Sequence, residues 1–371
     1  MIKRYLEKTI KSKIGTGKAI IVLGPRQVGK TTLLREVLTD KNVLFLDGDD
    51  PTVRQLLTNP NTEQLKDIIK DVPFVFLDEA QRIENIGITL KIITDQIKTT
   101  QLLVSGSSSF ELRNLTNEPL TGRKWEYKLY PISWGEFEDY AGYLKAIQQL
   151  PLRLVYGMYP EVITHAGNEV DILKQLTESY LYKDLLSYSG IRKPEILNNL
   201  LRALALQVGN EVSYRELSQL LSTDGKTIAA YIELLQQAFV IYKLPSFSRN
   251  LRNEIKTNQK IYFYDNGILN RILGNFTPFE IRNDKGALWE NFLMSERIKR
   301  NEYTQSFAQS YFWRTKQQQE IDYVEDKNGK ICAFEFKWNP QAKASVPALF
   351  KNTYKASFDI IHRENFRDFL E

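Results

Sequence analysis

At 371 residues the chain is long enough for two or three domains, each with its own core. Apolar residues make up 42% and charged ones 26%, ordinary globular values, and the single cysteine, Cys332, excludes an intrachain disulfide and a cysteine-built zinc site. The formal charge of +5 permits nucleic-acid contact without demanding it. No apolar run approaches the roughly 18 residues of a membrane span, and Met1-Ile2-Lys3-Arg4-Tyr5-Leu6-Glu7 lacks a signal peptide's apolar stretch, so a cytoplasmic protein with no membrane partner is expected.

The first predicted strand is Ala19-Ile20-Ile21-Val22-Leu23, short, continuous and β-branched, as for a strand buried on both faces of a parallel sheet. It runs into Gly24-Pro25-Arg26-Gln27-Val28-Gly29-Lys30-Thr31, a complete G-x-x-x-x-G-K-[ST] phosphate-binding loop. A helical stretch from Thr31 and Thr32 to Leu38 follows. The loop amides and the helix N-terminus would converge on the phosphates of ATP, with Lys30 on the β and γ phosphates and the Thr31 hydroxyl on Mg²⁺. Side chains at Gly24 or Gly29 are expected to block the approach of backbone to phosphate.

Asn42–Asp47 reads as a second strand, and Pro73-Phe74-Val75-Phe76-Leu77-Asp78-Glu79 as a third that ends in two carboxylates, the Walker B pattern. Asp78 would hold Mg²⁺ and Glu79 would polarise the attacking water. Leu102-Leu103-Val104 then ends in Ser105-Gly106-Ser107-Ser108-Ser109, with Ser105 where a γ-phosphate sensor would sit. Through about residue 133 strands alternate with helices, which predicts a parallel sheet covered by helices.

Glu79 directly after Asp78, and an extra strand between the phosphate loop and the polar sensor, make this region similar to the AAA+ branch of the P-loop ATPases. That resemblance implies an arginine just before the fifth strand that reaches a neighbour's nucleotide. Arg123, in Thr121-Gly122-Arg123 ahead of Lys124–Leu129, is the candidate, and its action in trans would make the working state a homo-oligomer.

From Leu152 to about Val240 the pattern is mainly helical. Val212–Leu221 gives a short helix with Ser213 as cap and Glu216 at capping-box spacing, Ser222–Gly225 a turn, and Lys226–Leu235 a second helix in the recognition position of a winged helix-turn-helix. Between 243 and 260 the basic residues Lys243, Arg249, Arg252, Lys256 and Lys260 face the single acid Glu254. Such a wing could contact phosphates, as could Lys226 and Thr227. Many winged helices pack only against protein, and this helix offers few base-reading side chains, so both readings stay open.

After Lys260 strands return. Asp326-Lys327-Asn328-Gly329-Lys330 predicts a two-residue hairpin in which paired residue numbers sum to 657. Asp322 then faces Glu335 and Glu320 faces Lys337 on one side of the sheet, with Ile321, Tyr323, Phe334 and Phe336 on the other. Two carboxylates with Cβ atoms roughly 5 Å apart require a cation or a proton between them, and a divalent metal is the expected occupant. Asp322 followed by Glu335-Phe336-Lys337 is similar to the PD-(D/E)xK nuclease pattern. The similarity implies Mg²⁺ on Asp322 and Glu335, a further acid from an upstream helix at Glu290, and Lys337 positioning the attacking water.

Taken together, Gly24–Thr32, Leu77-Asp78-Glu79-Ala80-Gln81-Arg82, Ser105–Ser108, Thr121-Gly122-Arg123, Tyr156-Gly157-Met158-Tyr159-Pro160-Glu161, Tyr264-Asp265-Asn266-Gly267 and the Glu320, Asp322, Glu335, Lys337 set resemble, in order, a prokaryotic family. Its members join an N-terminal AAA+ P-loop ATPase to a C-terminal domain of unknown function with a restriction-endonuclease-like core. Asn266 and Ser105 depart from it, standing where threonine is more usual. The resemblance implies an α/β protein divided into an ATPase domain (1–165), a helical and winged-helix region (166–262) and a nuclease-like domain (263–371). The expected activity is ATP hydrolysis with Mg²⁺. An ATP-regulated nuclease and a nucleotide-switched interaction protein with little turnover are the alternatives.

Overall fold

Five consecutive apolar residues, Ala19–Leu23, form β1, and all five are buried because strands flank it on both sides and helices cover both faces. In the computed structural model, which describes residues 1–107, 119–178, 193–247, 259–315 and 317–371, β1 pairs in parallel with β4 (Gln101–Gly106) and β5 (Lys124–Lys128). With β2 (Val43–Asp47) and β3 (Phe74–Asp78) the order is β2-β3-β4-β1-β5. Every pairing in this sheet is parallel, so the carboxyl ends of the strands share one edge, where Leu23 lies beside Gly106 and Asp47 beside Asp78. The chain leaves β1 for β2, three strands away, while β5 lies on its other side. That reversal opens a crevice at the end of β1. At the β2 edge Phe45 is covered by the Arg35 guanidinium, 4.8 Å from its ring.

Two compact units result, Met1–Ile132 with Gln237–Phe239, and Ser133–Gln236 with Val240–Glu371. The division at 132/133 falls at the Ser133 capping box, whose hydroxyl accepts from the Glu136 amide while the Glu136 carboxylate accepts from the Ser133 amide. The expected division at 262/263 lies inside the second unit.

That unit holds two sheets. The three-stranded one has the order β6-β8-β7, from Glu211–Val212 (β6), Ile241–Pro245 (β7) and Gln259–Phe263 (β8), all antiparallel. The four-stranded one has the order β12-β11-β10-β9, from Gln309–Arg314 (β9), Glu320–Lys327 (β10), Lys330–Phe336 (β11) and Ser357–Ile361 (β12). The chain just past β7 joins them. The Phe247 amide donates to the Phe312 carbonyl at 2.6 Å, and the Phe247 ring packs with Trp313 and Phe350. A domain cut between the sheets would therefore divide one core.

The hairpin register is the expected one, with Tyr323 opposite Phe334 and Lys327 opposite Lys330. One facial assignment differs. The β9–β10 register shifts between Ile321 and Val324, a β-bulge that reverses the alternation. Ile321 accordingly packs with Val324, Trp313 and Phe350, while Tyr323 stacks with Phe334 and Phe336 and meets Phe369 edge-on.

The Tyr-Gly-Met-Tyr-Pro and Tyr-Asp-Asn-Gly segments interlock in this unit. The Asp265 carboxylate accepts from the Met158 amide at 2.6 Å with one oxygen, and from Gly267 and Ile268 at 2.8 and 3.1 Å with the other, capping the helix Asn266–Leu273. Gly157 has φ +75, and a Cβ there would stand 2.1 Å from Asp265 Oδ1. A Cβ on Gly267 would stand 2.2 Å from the Tyr156 carbonyl oxygen. Burial raises the Asp265 pKa, and the three amide donors oppose the rise. In Asp265→Asn one amide nitrogen must face an N–H donor, leaving a buried donor unpaired at a cost of about 1–3 kcal/mol. Four of the five tryptophans lie in this unit, so urea unfolding followed by tryptophan fluorescence should show its midpoint fall.

Candidate functional site: the phosphate loop and a buried carboxylate cluster

The loop from Gly24 to Thr31 leaves the end of β1 and enters the helix Lys30–Val37. Gln27 (φ 60) and Gly29 (φ 91) both lie in the left-handed region, an alternation that turns successive amides toward one side. The glycines have backbone roles of their own. A Cβ on Gly24 would stand 2.0 Å from the Leu129 carbonyl oxygen, so this residue is small because the chain after β5 crosses against it. Gly29 is required by its φ as the left-handed residue before the helix. The Lys30 ammonium donates to the carbonyls of Gly24 and Pro25 at 2.9 and 2.8 Å, across the loop it serves.

Arg4 is part of this site and carried no motif. Its guanidinium is buried and donates to the Val28 carbonyl and the Tyr130 carbonyl, both at 2.6 Å, tying the loop to the chain beyond β5. The only sequence signal was an arginine beside the apolar Leu6 and Ile10.

At the end of β3, Asp78 faces the start of the loop's helix. The Thr31 hydroxyl donates to Asp78 Oδ2 at 2.8 Å, and Ser105 donates to Oδ1. The structure thus brings together Thr31, Asp78 and Ser105 as expected. A hydroxyl beside a carboxylate is a hard oxygen donor set of the kind Mg²⁺ takes while keeping several waters, so the residues present fit ATP with Mg²⁺. Glu79 adopts φ 46, ψ 43, an uncommon conformation for a non-glycine residue. Its carboxylate accepts from the Gln81 amide, which also donates to the Ser107 hydroxyl at 2.8 Å. Gly48 packs here because a Cβ would stand 2.4 Å from the Glu79 carbonyl oxygen. Gln81 and Ser107 stood within the quoted motifs, yet their contact with Glu79 depends on β3 and β4 being neighbours.

Arg123 lies at the amino end of β5, the opposite sheet edge from this chain's own loop, and pairs with Asp95 at 2.6 Å. Ser108 and Ser109 lie outside the described residues.

In the second unit Glu290, Asp322, Glu335 and Lys337 do gather, and Lys260 gathers with them. Asp322 accepts from the Phe336 amide at 2.8 Å, and Lys337 pairs with Glu335 at 2.8 Å. Lys260, 1% exposed, places its ammonium 2.5 Å from Glu320 and 3.3 Å from Glu290, which also accepts from the Tyr262 hydroxyl at 2.6 Å. Burial alone would lower the Lys260 pKa, but Glu290, Asp322 and Glu320 outweigh it and hold the ammonium above the ordinary lysine value. Burial, with Glu290 and Glu335 nearby, pushes the Asp322 carboxyl well above the carboxylate range.

One expectation changes. Lys260 is not a phosphate-contacting wing residue, because it is buried among carboxylates; Lys243 pairs with Glu233 at 2.8 Å, and Arg249, Arg252, Glu254 and Lys256 lie outside the described residues. Among the described residues no group of three or more His, Cys, Asp or Glu side chains is placed to hold an ion, and the Lys260 ammonium lies against Glu320 and Glu290 of the cluster.

The first unit, a parallel sheet with a phosphate loop and Asp78 at its carboxyl edge, defines a P-loop ATPase. Residues 16–138 match the family model described as an AAA domain, residues 147–278 a domain of unknown function (DUF8612), and residues 285–365 another (DUF4143). Over 347 residues the chain is 28% identical to the uncharacterized protein Rv2008c of Mycobacterium tuberculosis, covering 92% of this chain and 74% of that one. An uncharacterized protein of Haemophilus influenzae is 25% identical over 390 residues, with 96% and 92% covered. Among solved structures, the Walker-type ATPase PABY2304 of Pyrococcus abyssi shares the fold, with a TM-score of 0.51, 16% identity, and 74% of this chain and 96% of that chain covered.

Arg4→Ala removes two charge-assisted bonds, each worth about 1.5–3 kcal/mol. Hydrogen exchange at the loop amides from Arg26 to Thr31 should accelerate at least about tenfold, while the second unit's amides keep their rates.

Proposed function

We propose that the protein hydrolyses ATP with Mg²⁺ at the carboxyl edge of the parallel sheet, through Lys30, Thr31, Asp78 and Glu79. The contact that carries this reading is the 2.8 Å hydrogen bond from Thr31 to Asp78, which sets two oxygen ligands side by side with Glu79 next in the chain. Bound there, Mg²⁺ would neutralise charge on the β and γ phosphate oxygens. Lys30 exchanges its loop carbonyls for phosphate oxygens, and the amides of residues 24–32 hold the remainder. Ser105, through its hydrogen bond, fixes the orientation of Asp78. Glu79 orients the attacking water, with Gln81 setting the direction of its carboxylate.

Lys30→Ala should abolish binding of a fluorescent ATP analogue. Glu79→Gln should bind it with near-normal affinity and lose turnover by about 10²-fold or more, read as phosphate release. Undiminished affinity in the Lys30 variant would remove the assignment.

Coupling to nucleic acid is the finer reading. The succession of helix Pro194–Leu206, β6, helices Tyr214–Leu220 and Gly225–Gln237, β7 and β8, with the sheet order β6-β8-β7, supports a winged helix. Lys226 is exposed at the start of its second helix of the turn, and Thr227 is held by Asp224. Duplex DNA should raise ATP turnover, and Lys226→Glu should weaken that stimulation; turnover indifferent to DNA and RNA counts against coupling. The order of helix Lys285–Tyr303, three antiparallel strands, helix Ala348–Tyr354 and a last strand parallel to β11 supports a restriction-endonuclease-like core. Action of Arg123 on a neighbour's nucleotide requires opening of its pair with Asp95.

A further inference from the structure

The second unit contains a site whose cation is part of the chain. Lys260 is the second residue of β8, paired with Glu211 on one side and Leu244 on the other, so its backbone is fixed by two ladders. From there its side chain enters a cluster of four carboxylates, Glu290, Glu320, Asp322 and Glu335, contributed by one helix and two strands of the other sheet. The ammonium lies 2.5 Å from Glu320 and 3.3 Å from Glu290, with the Phe312 ring centre 5.6 Å away.

Each of the other acids has one oxygen engaged as well. Glu335 is paired with Lys337 at 2.8 Å, Glu320 lies 3.5 Å from Arg314, and Asp322 is tied to the Phe336 amide at 2.8 Å. Three cationic side chains therefore stand among four acids. A divalent ion added to this set would carry the cluster past neutrality, and it would have to displace a buried ammonium from its contacts. With the ammonium among them, the acids of the described residues do not form an ion-holding group.

We infer that Lys260 serves as a tethered cation in place of the divalent metal that the facing carboxylates would otherwise require, so that the native cluster excludes metal and Glu290, Asp322 and Glu335 form a latent divalent-cation site released by loss of the ammonium. The inference does not rest on ATP hydrolysis and concerns the second unit alone. It assigns the Asp322–Glu335–Lys337 constellation to charge balance inside the fold, with Lys260 holding β8 against the helix Lys285–Tyr303 and against β10.

The test uses the full-length, nucleotide-free protein. Mn²⁺ binding is titrated by paramagnetic resonance, and thermal unfolding is followed by tryptophan fluorescence with and without Mn²⁺. Wild type and Asp322→Asn should give the same Mn²⁺ isotherm. Lys260→Met should melt at lower temperature than wild type and regain stability with Mn²⁺, whereas Lys260→Met with Asp322→Asn should not respond. Lys260→Arg, which keeps a cation, should behave as wild type toward Mn²⁺. An Mn²⁺ site in wild type that disappears in Asp322→Asn overturns the inference, and this comparison stands even if Lys260→Met fails to fold. A Lys260→Met protein as stable as wild type and indifferent to Mn²⁺ overturns it as well.

Discussion

A carboxylate withdrawn from water must be given donors or a counter-charge, and both units of this protein are organised around how that requirement is met. In the first unit Asp78 receives two hydroxyls, from Thr31 and Ser105, which link β3, the loop's helix and β4 at one point. In the second, Asp265 receives three backbone amides from two segments more than a hundred residues apart in sequence. Glu296 meets the same demand with the Trp134 amide and Lys299, each at 2.6 Å, and Glu325 with the Arg297 guanidinium. Each arrangement is costly to break from one side, because the partner left behind is buried and uncompensated.

The chemistry of the first unit is positioned by that same economy of contacts. The loop is held by Arg4 and Lys30 through carbonyl oxygens, and its narrowest point is set by the chain after β5 crossing Gly24. Glu79 sits in a left-handed conformation one residue after a carboxylate locked on both oxygens. Its backbone there is held by neighbours, the carbonyl lying close against Gly48 and the amide donating to the Ser105 hydroxyl at 3.2 Å. The second unit uses its carboxylates differently. Where the first presents an oxygen pair suited to Mg²⁺, the second closes its acids on lysine, and that contrast divides the chain's functional assignment.

Much of this was legible in sequence because it depends on local rules. The phosphate loop, the strand before it and the Walker B acids are contiguous segments whose spacing alone specifies their geometry, and the Asn328-Gly329 turn predicted a hairpin register that the structure keeps from Tyr323 to Lys327. The errors came where local rules were extended over distance. Alternation placed Ile321 with Tyr323, but a bulge opposite β9 reversed the face. Lys260 read as one of a run of basic wing residues, and its burial depends on strands and a helix that begin 25 or more residues later. Arg4 carried no motif, because a carbonyl acceptor leaves no mark on the sequence that supplies it.

The sequence by itself determined which segments become strands, where the phosphate loop lies, and which residues can supply an oxygen to Mg²⁺ or a water to phosphate. Only the tertiary structure decided which charges meet. Periodicity and turn chemistry act over a few residues and are written into the chain, whereas a buried ion pair depends on which distant elements pack together and on how far water is excluded between them. The facing carboxylates Asp322 and Glu335 required a cation on sequence grounds. The packing of β8 against β10 and the helix Lys285–Tyr303 set Lys260 against Glu320 and Glu290 in the same cluster.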